Sequence, residues 1–286
     1  MLVFDKKKTL ISFISDSKVE GKRIGFVPTM GALHQGHLSL IEAAKRENDV
    51  VVASIFVNPT QFNNAEDLKN YPRPFDTDKR MLEKAGTDVL YYPSVEEIYP
   101  SQDAKKETFD FGYLEKLMEG KHRPGHFNGV AQVVSKLFNI VSPDTACFGE
   151  KDFQQLVIIR ELLKKMNSSI QLISCPTVRE KDGLAMSSRN SLLSDKERLE
   201  APQIYKALLY IQQHWTKFSV LEIRDKSIEI IEQSGSMKVE YLELADANTL
   251  HPVTEWNSLS PIRCFTAVHL GRIRLIDNVA LNNQNQ

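Results

Sequence analysis

Two imidazoles three residues apart, in Pro28-Thr-Met-Gly-Ala-Leu-His34-Gln-Gly-His37, are the side chains of this sequence best placed for chemistry. They follow a short apolar run, Ile24-Gly-Phe-Val27, and lead into a stretch of helical period from His37 to Asn48. Gly31 and Gly36 remove side chains where a ligand would approach the backbone closely. A helix N-terminus at this point presents unpaired N–H groups and the positive end of the helix dipole, and together these favour a phosphate. The two imidazoles would then donate hydrogen bonds to phosphate oxygens as negative charge builds. Met30, Gly31, Ala32, Leu33, His34, Gln35, Gly36 and His37 are therefore the candidate nucleotide-phosphate segment. A zinc site through His34 and His37 lacks an evident third ligand.

Three further clusters carry chemistry-bearing side chains. Pro59 halts the apolar run Val50 to Val57, leaving the amides of Asn58 and Gln61 at its carboxyl end. An amide both donates and accepts, which suits a hydroxylated substrate. In Phe148-Gly149-Glu150-Lys151-Asp152-Phe-Gln-Gln155 an apolar run again meets a glycine and then a helix. Acidic residues are at home in a first helical turn, but a cation is not. Lys151 therefore reads as a phosphate partner, and Asp152 as a candidate Mg²⁺ ligand. The third cluster, Arg179 to Asn190, contains Met186-Ser187-Ser188-Arg189, two hydroxyls and a guanidinium suited to closing on phosphates. The basic, glycine-containing stretch Gly120 to Gly129 either approaches phosphates or is a capped surface loop.

These residues need a scaffold. Apolar runs at 24–27, 50–57, 89–92, 145–148 and 170–173 lack polar alternation and are separated by helical-period stretches at 37–48, 77–85, 127–140 and 153–166. That pattern predicts a parallel sheet covered on both faces, a Rossmann-like doubly wound α/β fold. Ligands in such folds sit beyond the carboxyl ends of the strands, where strand order reverses. After Cys175 the texture changes to two helices, 195–214 and 220–234, followed by short strands at 239–244, 264–270 and 272–276. Residues 1–175 and 176–286 are thus expected to form a larger nucleotide-binding domain and a smaller α+β domain.

Bulk properties exclude several classes. Lys plus Arg (36) nearly cancels Asp plus Glu (37), which argues against a nucleic acid partner. Cys147, Cys175 and Cys264 are far apart with no C-x-x-C pair, so they form no disulfide framework and read as buried thiols in a reducing cytoplasm. No segment approaches the ~18 apolar residues of a membrane span, and the N-terminus lacks the apolar core of a signal peptide.

The motifs together resemble one family. Pro-Thr-Met-Gly-Ala-Leu-His-x-Gly-His, Asn-Pro-x-Gln-Phe, Tyr71-Pro-Arg73, Arg123-Pro-Gly-His-Phe-x-Gly-Val130, Phe-Gly-Glu-Lys-Asp-x-Gln-Gln and Asp-Gly-Leu-Ala-Met-Ser-Ser-Arg-Asn resemble, in order, the signatures of pantothenate synthetases. The resemblance covers roughly residues 20 to 190 and implies joining of (R)-pantoate to β-alanine, with ATP cleaved to AMP and pyrophosphate. It implies ATP contacts from Met30 to His37 and from Gly149, Glu150, Lys151 and Asp152, with His37 as proton donor and His34 beside it. By the same resemblance Val178 meets the adenine region through its backbone, and Met186, Ser187, Ser188 and Arg189 close over the phosphates. Gln61 and Gln155 would hold pantoate, Gln61 also bordering the β-alanine site; Mg²⁺ accompanies ATP, with Asp76, Asp78 and Asp152 all candidate ligands. A homodimer is implied as well. Pro74 and Phe153 depart from residues common in the family, at the pocket's rim at most and outside the chemistry, and Asn128 varies a loop position. Two rivals remain on sequence: another adenylyl-transferring enzyme such as a tRNA synthetase, and an inactive nucleotide-binding module.

Overall fold

Apolar runs of β-branched residues, Val50–Ile55 above all, become strands buried on both faces because a continuous apolar run has no side to offer water. The computed structural model describes residues 1–100, 107–256 and 260–281. The chain divides into two compact units, Met1–Glu150 with Ile158–Pro176, and Lys151–Val157 with the residues from Thr177 on.

The first unit is a six-stranded parallel sheet of β1 (Leu2–Phe4), β2 (Ile24–Thr29), β3 (Val50–Ile55), β4 (Val89–Tyr91), β5 (Thr145–Gly149) and β6 (Gln171–Cys175). Its order is β1-β4-β3-β2-β5-β6, so the winding reverses between β2 and β5. Alternate side chains of the strands serve the two faces. Val27, Val51, Ala53 and Leu90 join Leu40, Ile41 and Ala44 of the helix Gln35–Glu47 and Leu82 of the helix Phe75–Ala85 in one core. On the other face Phe26 meets Phe138 of the helix His126–Val141 edge-on at 6.3 Å, and Phe138 meets Phe148 of β5. Helices thus cover both faces, as the doubly wound expectation requires.

The first strand and the first helix escape the sequence pattern, as do the short helices Ala65–Asn70, Val95–Ile98 and Met118–His122. Strand β1 is three residues long and exists through its parallel pairing with β4. The helix Lys7–Val19 buries little more than Leu10 and Ile14, too thin an apolar stripe to announce itself.

In the second unit β7 (Met237–Asp246), β8 (Ile262–Leu270) and β9 (Ile273–Leu281) form an antiparallel meander. Leu208 and Ile211 of the helix Gln203–His214 and Ile223 and Ile231 of the helix Val220–Glu232 pack with Leu242, Leu244 and Val268 of the sheet. The single helix expected over 195–214 is two, Asp195–Glu200 and Gln203–His214, because Pro202 supplies no N–H for a continuous ladder. The strands are longer than the sequence pattern indicated, extended by cross-strand pairing. All three cysteines are free and buried.

Candidate active site

At the reversal point β2 ends at Thr29, whose hydroxyl donates to the Ser54 carbonyl at 2.7 Å and accepts from Gly31 N at 3.2 Å. The chain then turns through left-handed backbone at Gly31 (φ 81°) and Ala32 (φ 51°). At Gly31 a Cβ would lie 3.0 Å from Asp78 Oδ2 and from Ile55 Cγ2, so only glycine fits comfortably. Ala32 bears the cost of its backbone because its own amide and the next are clamped. Ala32 N and Leu33 N donate to Asp78 Oδ2 and Oδ1, each at 2.8 Å. Asp78 is buried in the first turn of the helix Phe75–Ala85, where a carboxylate also suits the helix dipole. Burial pushes its carboxyl above the ordinary aspartate value, and the two backbone N–H groups oppose that rise. As a metal ligand Asp78 is poorly placed, since both oxygens already hold the loop; Asp76 and Asp152 are exposed.

The helix after this loop begins at Gln35, two residues earlier than its sequence pattern indicated, because the histidines themselves cap it. His34 Nδ1 accepts from Gly36 N at 3.1 Å, and His37 Nδ1 accepts from His34 N at 3.3 Å. The rings lie 4.1 Å apart, centroid to centroid. A backbone N–H only donates, so each Nδ1 must present a lone pair and each ring carries its proton on Nε2. The capping box therefore selects one tautomer for both imidazoles. Each has an Nε2–H donor directed away from its backbone bond.

Gln61 lies in a 3₁₀ turn, Pro59–Gln61, capped by Asn58. Asn58 is buried and its amide is fully committed. Nδ2 donates to Gln61 Oε1 and to the Gly129 carbonyl, both at 3.0 Å, while Oδ1 accepts from the hydroxyls of Tyr99 (2.9 Å) and Thr60 (3.0 Å). The sequence pattern suggested a direct substrate contact for Asn58; here both of its N–H bonds are spent inside the protein, and it holds Gln61. Gln61 Nε2 approaches Met30 Sδ at 3.1 Å, bringing this turn against the histidine loop. His126 Nδ1 lies 2.9 Å from the Gln61 carbonyl oxygen. The Arg123 to Val130 motif thus supports Gln61 from behind, a role that neither of the two readings of that stretch foresaw.

Strand β5, neighbour of β2, delivers Gly149 and then Glu150, whose Oε1 accepts from Ser174 Oγ at 2.9 Å. Lys151, Asp152 and Gln155 belong to the second unit, as do Val178 and Met186 to Arg189. There the stretch 179–185 is a small hairpin closed by an Arg179–Ala185 bridge. Met186 N donates to the Val178 carbonyl at 3.0 Å, and Ser187 Oγ caps the 3₁₀ turn Ser188–Leu192 by accepting from Arg189 N.

The structure adds Asp78, Tyr99 and His126 in the first unit, whose positioning roles sequence reasoning did not assign. Asp78 left a readable signal, a carboxylate on the same helical stripe as Phe75 and Leu82, and His126 stood within the Arg123 to Val130 motif; Tyr99 left none.

A doubly wound α/β sheet with a histidine-capped helix at its reversal point defines a class, the nucleotide-binding proteins of this architecture. Within that class, the chain matches the family model for pantoate-beta-alanine ligase over residues 2–280. It is 48% identical over 280 residues to the pantothenate synthetase of Bacteroides thetaiotaomicron, covering 98% of each chain. It is 45% identical to that of Porphyromonas gingivalis, covering 98% of this chain and 99% of the relative. The pantothenate synthetase structure from Thermus thermophilus superposes with a TM-score of 0.91 at 41% identity, covering 98% and 99% of the two chains. A pantoate-beta-alanine ligase from Francisella tularensis, complexed with beta-gamma ATP and beta-alanine, gives 0.81 at 38% identity, covering 98% and 97%. The chain belongs to the pantoate–β-alanine ligase family.

Proposed function

We propose that this ligase joins (R)-pantoate to β-alanine in two half-reactions. A pantoate carboxylate oxygen attacks the α-phosphorus of ATP, forming an O–P bond and expelling pyrophosphate. The β-alanine amine then attacks the acyl carbon of pantoyl adenylate, forming the amide, releasing AMP and losing a proton. The carrying observation is similarity over essentially the whole chain to enzymes of this name, together with six motifs that resemble the family's signatures in order.

The first half-reaction joins two anions, so its catalysis is charge neutralisation and alignment. In this reading the Nε2–H groups of His34 and His37 donate to ATP phosphate oxygens, and His37 follows the charge as it develops. Lys151 and Arg189 supply fixed positive charge. Met30 to Gln35, Gly36, Gly149, Glu150 and Asp152 bind ATP through backbone and polar groups, Val178 meets the base, and Met186 to Ser188 close over the phosphates. Gln61 and Gln155 hold pantoate, with Asn58 acting through Gln61. Mg²⁺ would enter with ATP, Asp76 or Asp152 would be the carboxylate to hold it, and it would supply further charge neutralisation.

We extend the reading to a division of labour, with residues 1–175 taking ATP and pantoate and 176–286 carrying the Met-Ser-Ser-Arg loop. It also includes a cytoplasmic homodimer with no nucleic acid or membrane partner. No helix among the described residues is long and apolar enough to cross a membrane. The test is ATP–pyrophosphate exchange that requires pantoate, with AMP release that further requires β-alanine. Turnover with an amino acid and tRNA instead would overturn it.

A further inference from the structure

The last strand of the second unit reaches both of its candidate phosphate elements through two consecutive residues. Asp277, on β9, receives a two-pronged ion pair from Arg179, Nη1 to Oδ2 at 2.6 Å and Nη2 to Oδ1 at 2.9 Å. Arg179 is the root of the 179–185 hairpin. Its Nη1 also donates to the Gly183 carbonyl at 3.1 Å, its Nη2 to the Asn278 carbonyl at 3.3 Å, and its guanidinium lies 3.8 Å over the Tyr205 ring. The side chain of Asn278 faces the other element. Its Nδ2 donates to the main-chain carbonyl of Lys151 at 2.9 Å, and its Oδ1 accepts from Arg263, which itself lies 3.9 Å over the Phe153 ring.

This arrangement is expensive to leave incomplete. Asp277 and Asn278 are both buried. Burial pushes the Asp277 carboxyl up, while the Arg179 fork and the Lys151 charge hold it down. A buried charge persists only when paired and hydrogen-bonded, and the planar guanidinium provides that with fixed geometry. Asn278 needs an amide because it must donate to a carbonyl and accept from a guanidinium at once. The contacts also explain why Lys151–Val157, an excursion from the first unit's sequence, is compact with the residues after Thr177.

We infer that Asp277 and Asn278 are positioning residues that set Lys151 and the Met186 to Arg189 loop in one fixed register, so that both meet the phosphates of a single ATP. The inference rests on the ligase reading. Neither residue touches substrate; each acts through an element that does.

Asn278→Asp is the selective variant. It keeps an oxygen for Arg263 but replaces the donor to Lys151 with an oxygen facing a carbonyl. Arg179→Lys is the second, keeping a charge for Asp277 while losing the fork. Thr266→Val, which removes a buried hydroxyl bond to the Tyr241 carbonyl in the same sheet, serves as the structural control. We expect Asn278→Asp and Arg179→Lys to lower kcat/KM for ATP in pantoate-dependent exchange at least tenfold, with KM for β-alanine unchanged. Thr266→Val should lower Tm without that selective loss. Wild-type exchange in both variants, or losses that track Tm as in the control, would overturn the inference. If the wild-type chain shows no pantoate-dependent exchange, the ligase reading fails instead. The tie is then judged by amide hydrogen exchange at 151–155, which Asn278→Asp must accelerate and which, unchanged, refutes it.

Discussion

The histidine cap separates two jobs within one ring, and substitution at His37 separates them experimentally. Nδ1 serves the fold by accepting from His34 N at 3.3 Å, a long neutral bond worth about 1 kcal/mol or less to the helix start. Nε2–H serves the reaction, where a donor aimed at developing charge is worth roughly 2.7–4 kcal/mol, or ~10²–10³ in rate. His37→Asn places an amide oxygen near the Nδ1 position and removes the distal donor. Pantoate-dependent ATP–pyrophosphate exchange should therefore fall by ~10²–10³ while thermal unfolding barely moves. His37→Gln can reach outward with an amide N–H and should recover part of the rate. A His37→Asn enzyme with the wild-type rate would refute this assignment.

Asp78→Asn sets an NH₂ group against Ala32 N or Leu33 N, leaving a buried donor unmet at a cost of roughly 1–3 kcal/mol. KM for ATP should rise and Tm should drop; an unchanged KM for ATP counts against the clamp. A Cβ at Gly129 would lie 2.4 Å from the Thr60 carbonyl oxygen and 2.8 Å from Gln61 Cα. Gly129→Ala should therefore displace Gln61 and raise KM for pantoate more than KM for ATP, which steady-state kinetics will decide. Glu197 and Glu222 are held below the ordinary glutamate value by the Ser194 and Ser219 backbone N–H groups and hydroxyls of their capping boxes. Their contribution to stability is present above that ordinary value and is lost as pH falls through the lowered one. A Glu197→Gln, Glu222→Gln double variant, which removes both titrating carboxylates, should show a shallower decline of Tm on acidification; an unchanged slope would show that these caps do not contribute.

Much of the fold was legible because its strands are buried on both faces. Val50–Ile55 carries no polar residue but Ser54, and such a run between helical stretches has few other folds available. The reversal point was not legible, since no residue of β2 names β3 and β5 as its neighbours. Pro202 was visible, yet the 195–214 stretch reads as one helix until the break is seen, because both sides keep helical period. The first strand was missed for an opposite reason: three residues have no intrinsic preference strong enough to register, and only the β4 edge makes them a strand.

The histidine segment shows where sequence stops. The order Gly31, His34, Gly36, His37 by itself predicted a helix start with the groups a phosphate would need, because residue type and spacing fix which groups lie at that turn. The sequence also supplied most of the residues that the family resemblance then named, Val178 coming from the resemblance by itself. What only the tertiary structure decided is how those groups are held. Asp78, more than forty residues on, fixes the loop amides; Asn58 consumes its amide in holding Gln61; and Asp277 and Asn278 reach back to Arg179 and Lys151. Local patterns record what a residue can do with its near neighbours along the chain. Which buried donor meets which buried acceptor is settled by packing between distant segments, where an unpaired polar group is too costly to leave and the sequence between carries no trace of the match.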